Sequence, residues 1–157
     1  MGTKTSVMGS NAGPAIASAQ AGQVTVQRGN KELLATDSED ATLRLRLVKL
    51  PAQHRIVSVV LENDDLDGGA TGTIDIGVED SVQDPVDTTN ATLIGAAVSV
   101  QAAAVVRYET QVMLEFGVTN YDRFIIVDID VASTTGLVGG IAATLTSRPE
   151  LGAQFEN

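Results

Sequence analysis

The chain has no cysteine and no tryptophan, and only two tyrosines and three phenylalanines among its 157 residues. Lack of cysteine excludes a disulfide framework, a thiolate zinc site and a cysteine nucleophile together. With so few rings, a core has to be assembled from Val, Ile, Leu and Ala, residues that interdigitate well between pleated strands. Basic residues are also scarce, 10 against 20 acidic, which sets the net charge at −10. Such a surface repels phosphate backbones, whose binding depends on cations that release counterions, so no nucleic-acid partner is expected. Long apolar runs are missing too. The longest near the N-terminus is Ala15-Ile16-Ala17, short of a signal-peptide core, and nothing approaches the roughly 18 residues of a membrane span. No membrane partner is expected either. Met1-Gly2-Thr3-Lys4-Thr5-Ser6 fits the N-myristoylation pattern, but small residues fill this whole segment.

What is present suits one folded body. Hydrophobic residues make up 43% and mean hydropathy is +0.12, enough to bury a core in a chain of single-domain length. Residues 1–30 read as a flexible N-terminal arm: five glycines and Pro14 punctuate Ser, Thr, Ala and Asn. Within it, Val24-Thr25-Val26 is a short strand candidate that needs a pairing partner. Fully extended, the arm reaches on the order of 100 Å. Residues 31–157 read as the body.

There the pattern turns to period two. Leu43, Leu45 and Leu47 alternate with Arg44, Arg46 and Val48, and Lys49-Leu50-Pro51 ends the run. His54 to Leu61 starts a more buried strand. Asn63 to Gly69 is a loop by composition. Thr73 to Val78 alternates again, with Ile74, Ile76 and Val78 on one face. Asp80 to Asn90 is a long polar connection, and Ala91 to Val98 reads as a short helix or half-turn leading into a strand. Val105 to Leu114 looks extended. Phe124 to Val131 sets Ile125, Val127, Ile129 and Val131 on one face and Asp128 and Asp130 on the other. A last strand runs from Ile141 to Ser147 and stops at Pro149. Seven to eight short strands with regular turn signals, and no long amphipathic helix, predict an all-β antiparallel sandwich or barrel.

Candidate chemistry is thin. The single histidine, His54, has no obvious partner base or nucleophile and reads as a corner or hydrogen-bonding residue. Asn63, Asp65, Asp67 and Gly68 match the opening of a calcium loop, but the twelfth position, where a bidentate Glu belongs, is Ile74. A solvated turn is the better reading. Asp128 and Asp130 project from one strand face at a spacing that would suit paired catalytic carboxyls, as any wet strand would. Asn90-Ala91-Thr92 matches a glycosylation sequon and carries no weight here. The expectation is therefore no enzyme, no catalytic residue, no metal and no cofactor. Charge is unevenly placed: nine acidic residues and no Lys or Arg lie between Ile56 and Val106, while Arg44, Arg46, Lys49 and Arg55 precede them. This predicts a basic strand face beside acidic loops, a polarity that can orient a module on a charged partner.

Lys49-Leu50-Pro51-Ala52-Gln53-His54-Arg55-Ile56-Val57, the climb from Leu61 to Asp65-Leu66, and Thr73-Ile74-Asp75-Ile76-Gly77-Val78 together resemble a pattern of phage structural proteins. The strands from Tyr121-Asp122 to Val131 and from Gly139 to Leu145 fall where that family has its last two. The likeness covers roughly residues 40 to 147 and is to capsid decoration, or cement, proteins. It implies a jelly-roll-like sandwich, usually a homotrimer, on the capsid exterior of a virion and bound to the major capsid protein. It transfers no catalytic residue. The competing reading is a receptor- or glycan-binding sandwich on a virion or cell surface. Sugar-binding faces rely on aromatic platforms, and the chain offers only Tyr108 and Tyr121.

Overall fold

The computed structural model describes residues 3–5, 24–79, 90–109 and 116–150. Among them are nine strands and one short helix: β1 (Thr3–Thr5), β2 (Thr25–Leu33), α1 (Ala35–Ser38), β3 (Arg44–Leu50), β4 (His54–Asn63), β5 (Thr73–Glu79), β6 (Gly95–Ser99), β7 (Ala104–Tyr108), β8 (Arg123–Val131) and β9 (Gly139–Pro149). One sheet has the order β1-β3-β8-β5-β6 and the other β2-β9-β4-β7. From β2 onward every connection except β5 to β6 crosses between sheets. All strand pairs are antiparallel except β1 with β3. Two interleaved Greek keys of this order form a jelly roll, the sandwich that the alternating apolar pattern predicts.

The core is aliphatic, as the shortage of aromatics requires. Leu45, Leu47, Ile74, Ile76, Val127 and Leu145 are fully enclosed between the sheets. Each such side chain contributes roughly 1.5–3 kcal/mol through removal from water. The alternation on β5 is as expected. On β3 it breaks, because the register with β8 slips between Arg46 and Val48 and inserts one extra residue. That bulge turns both Leu47 and Val48 inward, where strict period two would have sent Val48 to solvent.

One expectation is corrected. The segment read as an arm to residue 30 contains most of β2, which pairs residue for residue with β9 from Thr25↔Ser147 to Leu33↔Gly139. The sandwich therefore begins by Thr25, and the partner of the Val24–Val26 segment is the chain's own last strand. Such a non-local pair has no local sequence signature. Of the short helix or half-turn leading into a strand read at Ala91 to Val98, the half-turn is what forms: residues 90–94 turn, and β6 follows. Of the extended stretch read at Val105 to Leu114, β7 ends at Tyr108, and residues 110–115 lie outside the described residues. Of the Met1–Ser6 pattern, only β1 is described.

The short α1 is closed at its start by Asp37, whose carboxylate accepts the Leu34 N–H at 2.8 Å, half of a capping box. Among the described residues no helix is long and apolar enough to cross a membrane.

Candidate interaction surface

The cations of β3 and β4 do not form the free basic face that their spacing predicts. Arg44 meets Asp128 through two bonds of 2.7 Å. Arg46 grips Glu79 at 2.6 and 2.9 Å, and its guanidinium lies 5.2 Å from the Phe124 ring centre. Lys49 contacts Asp122 at 2.6 Å, and Arg55 holds Glu150 at 2.8 and 2.9 Å. Bidentate pairs of this kind cancel the charge locally and fix strands side by side. Three of the four acids belong to other strands or to the loop before β8, so pairing across strands removes the polarity seen along the chain.

Part of the outer face of the β1-β3-β8-β5-β6 sheet is itself buried. Phe124 and Ile126 project away from the main core, yet form a second small cluster with Ala91 and are fully enclosed. The turn at 90–94 closes over them: Val78 N–H donates to the Asn90 carbonyl at 3.0 Å and Ile94 N–H to the Ile76 carbonyl at 3.0 Å. Gly77 permits the approach, because a Cβ there would sit 2.0 Å from the Asn90 oxygen. The sequon at Asn90-Ala91-Thr92 is thus part of this covering turn.

His54 sits at the corner where the chain passes from one sheet to the other. Its Nδ1 is 3.1 Å from the Ser147 hydroxyl, and both residues are buried. Burial lowers the imidazole pKa, against an opposing pull from Asp122. His, Ser and Asp come together here, but the serine is sealed in the sandwich and Asp122 serves the backbone and Lys49. Desolvation would raise the Asp122 pKa. Its bonds to Lys49 and the Ala52 N–H, with the Lys49 and His54 charges, outweigh that and hold it low. Ala52 N–H donates to Asp122 at 2.9 Å, Gln53 N–H to the Thr119 carbonyl and Glu150 N–H to the Gln53 carbonyl, both at 2.8 Å. Gln53 takes a positive φ of 62° to make the turn. The Lys49 to Ile56 segment is a welded corner.

In the Asn63 to Gly69 loop the side chains are spent on backbone. Asp67 accepts N–H groups from Gly69, Thr71 and Gly72 at 2.9, 3.0 and 2.6 Å. These bonds, that of Gly72 foremost, lower its pKa. Asp64 accepts the Gly140 N–H at 2.7 Å, and the Asn63 amide donates to the carbonyls of Asp64 and Ala102. The loop is a hydrogen-bonded turn that ties β4 to β9. Asp128 and Asp130 part company, the first going to Arg44 and the second accepting the Thr73 hydroxyl at 3.0 Å.

What stays open is the outer face of the sheet β2-β9-β4-β7. Val26, Val105 and Val138 are 63%, 69% and 62% exposed. Arg28 crosses to Glu62, its Nε 3.0 Å from the carboxylate. An open groove of about 780 Å³ runs beside that pair, with Gly140 and Ala142 among its lining residues. Among the described residues Tyr121 is the one exposed large aromatic, which leaves little for a sugar to stack on. Sequence reasoning missed this face, because Val26, Val105 and Val138 are far apart along the chain. Its signal was the small-residue run of β9 opposite the alternating polar residues of β2.

Fold and site together define an all-β jelly-roll protein whose ionisable groups hold the sandwich together. No family model and no curated protein matches the chain. Among solved structures it is similar to a chain in the capsid of Ralstonia phage GP4, at 25% identity and a TM-score of 0.78, with 94% of this chain and 98% of that one covered. It is also similar in fold to a chain of the cyanophage Pam1 capsid asymmetric unit, at 22% identity and a TM-score of 0.58, covering 90% and 97%. The chain shares its fold with structural chains of phage capsids.

Proposed function

We propose that this chain is a structural virion protein of the decoration, or cement, type, which binds the outer surface of a phage head and bridges neighbouring major-capsid subunits. The observation that carries this reading is the near end-to-end match with a chain of the GP4 capsid. Ion pairs internal to the sheets and one open sheet face support it. The mechanism is mass action: a ligand that binds the assembled shell across subunit boundaries favours assembly over separation. A homotrimer multiplies weak footprints through effective concentration. Adding the purified protein to heads that lack it tests the proposal. Saturable co-sedimentation and a higher temperature of head disruption are expected. Failure to bind heads, with pelleting on host cells instead, would overturn it.

A further inference from the structure

The two sheets end in four edge strands, β1 and β6 in one and β2 and β7 in the other. Three of them are protected against pairing with another chain. β1 is three residues long. β6 is bulged: its register with β5 slips between Ile74 and Ile76, and Ala97 takes a positive φ of 49° with its N–H donated to the Asp75 carboxylate at 2.9 Å. β2 carries Arg28, Lys31 and Glu32 along its length. Short edges, bulges and charges are the devices that keep exposed strands from recruiting others.

On the fourth edge these devices are missing. β7 pairs with β4 in unbroken register from Val59↔Tyr108 to Asn63↔Ala104, and with no other described strand. An antiparallel strand bonded on one side turns the N–H and C=O of every second residue away from its neighbour. The run Ala102-Ala103-Ala104-Val105-Val106 leads into this strand and through its first three residues; it is uncharged, and none of it is buried. Val105 and Val106 point to opposite faces. Both are exposed, Val106 by 38%, so the strand stands clear of the sandwich on either side. Consecutive exposed apolar residues beside unpaired peptide groups are what a protein working alone avoids.

Charge indicates what fits there. Arg107 is closed by Glu109 and Arg28 by Glu62, so the flanks of the strand are locally neutral. Asp64 and Asp65, just past the pair Asn63↔Ala104, are exposed and form no ion pair among the described residues. A second copy brings the same two acids and a net charge of −10, and is repelled. A neutral apolar strand that ends in Lys or Arg matches both the run and the acids.

We propose that β7 is a strand-acceptor edge: an extended segment of the shell subunit, apolar and closing on a Lys or Arg, adds beside Ala104–Tyr108 with its cation at Asp64 and Asp65. Backbone bonds supply the affinity, and alternate side chains of the added strand cover Val105 on one face and Val106 on the other. The inference rests on the capsid-binding reading and names its mode of contact.

Heads that lack the protein are the probe. Amide exchange of the full chain, free and bound to heads, is read by mass spectrometry. Bound protein should gain protection in peptides spanning residues 102–109. Val106→Lys charges the exposed edge and should weaken head binding about tenfold or more at an unchanged melting temperature. Val105→Lys applies the same test from the other face if the first variant melts early. Asp64→Asn with Asp65→Asn keeps the oxygens that accept the Gly140 and Asp67 N–H groups, and should flatten the salt dependence of binding. Binding by the unaltered chain without new protection at 102–109, or undiminished binding by both lysine variants, overturns the edge and leaves the capsid-binding reading standing. An unaltered chain that does not bind heads at all sinks that reading, and the inference with it. Protection at 102–109 that grows with concentration in the free protein, and is lost in Val106→Lys, would give the edge to a second copy and overturn the assignment to a shell subunit.

Discussion

Arg44 and Asp128 stand opposite one another on β3 and β8, and the guanidinium closes on the carboxylate with Nε to Oδ1 and Nη2 to Oδ2 both at 2.7 Å. Arg44 is only 2% exposed, so its charge depends on this partner and on Glu79 nearby. Asp128→Ala leaves a buried cation half paired and should cost about 3 kcal/mol, seen as a lower urea midpoint. Replacing both residues with leucine should cost less than the single change, because no uncompensated charge remains. A double-mutant cycle measures the difference.

Gly77 tests the covering turn. Its absent side chain is what lets the Asn90 carbonyl and Ala91 lie on the outer face of β5. Gly77→Ala pits a methyl group against backbone that has no flexible end to move. A loss of at least about 2 kcal/mol is expected, with faster amide exchange at Val78 and Ile94, whose N–H groups are held at this turn.

Stability should fall with acid in two separate windows. His54 has a pKa depressed below its ordinary 6.5, mainly by burial. The unfolded chain therefore takes up its proton first, and stability declines as pH drops from about 6.5 toward the lowered folded value. His54→Gln should flatten this upper limb. Asp67 is also depressed, below 3.8, by the N–H groups of Gly72 and its neighbours. Its contribution is complete above 3.8 and is lost as pH falls through the lowered value, so Asp67→Asn should remove part of the lower limb. Urea midpoints between pH 3 and 8 resolve both.

Truncation locates the start of the sandwich. Deleting residues 1–22 leaves β2 whole and should preserve a cooperative thermal transition. Deleting residues 1–30 removes six of the nine β2 positions paired with β9, bares the edge of β9, and should abolish that transition or lower it by well over 10 °C. Equal melting of the two truncated chains would show that β2 contributes nothing to the fold.

Much of the architecture is legible in the chain. Ile74, Ile76 and Val78 announce β5, and Ile125, Val127 and Ile129 announce β8, because a half-buried strand must alternate. Pro51 and Gly139-Gly140 mark boundaries for reasons internal to the backbone. Phe124 and Ile126 were harder to read. They occupy the outward positions of β8, and only the turn from residues 90–94 makes that side a second interior.

Alternation and composition alone were enough to determine an aliphatic sandwich without thiol or indole chemistry, since those properties depend on which residues are present and on near neighbours. Tertiary structure decided the rest. It sent Arg44 to an acid 84 positions away, made Thr25–Leu33 an integral strand, joined His54 to Ser147, and left one sheet face open while covering part of the other. Each of these outcomes depends on which strand lies beside which, and strand neighbours in a jelly roll are set by long-range closure of the two sheets, to which a local pattern of residues is blind.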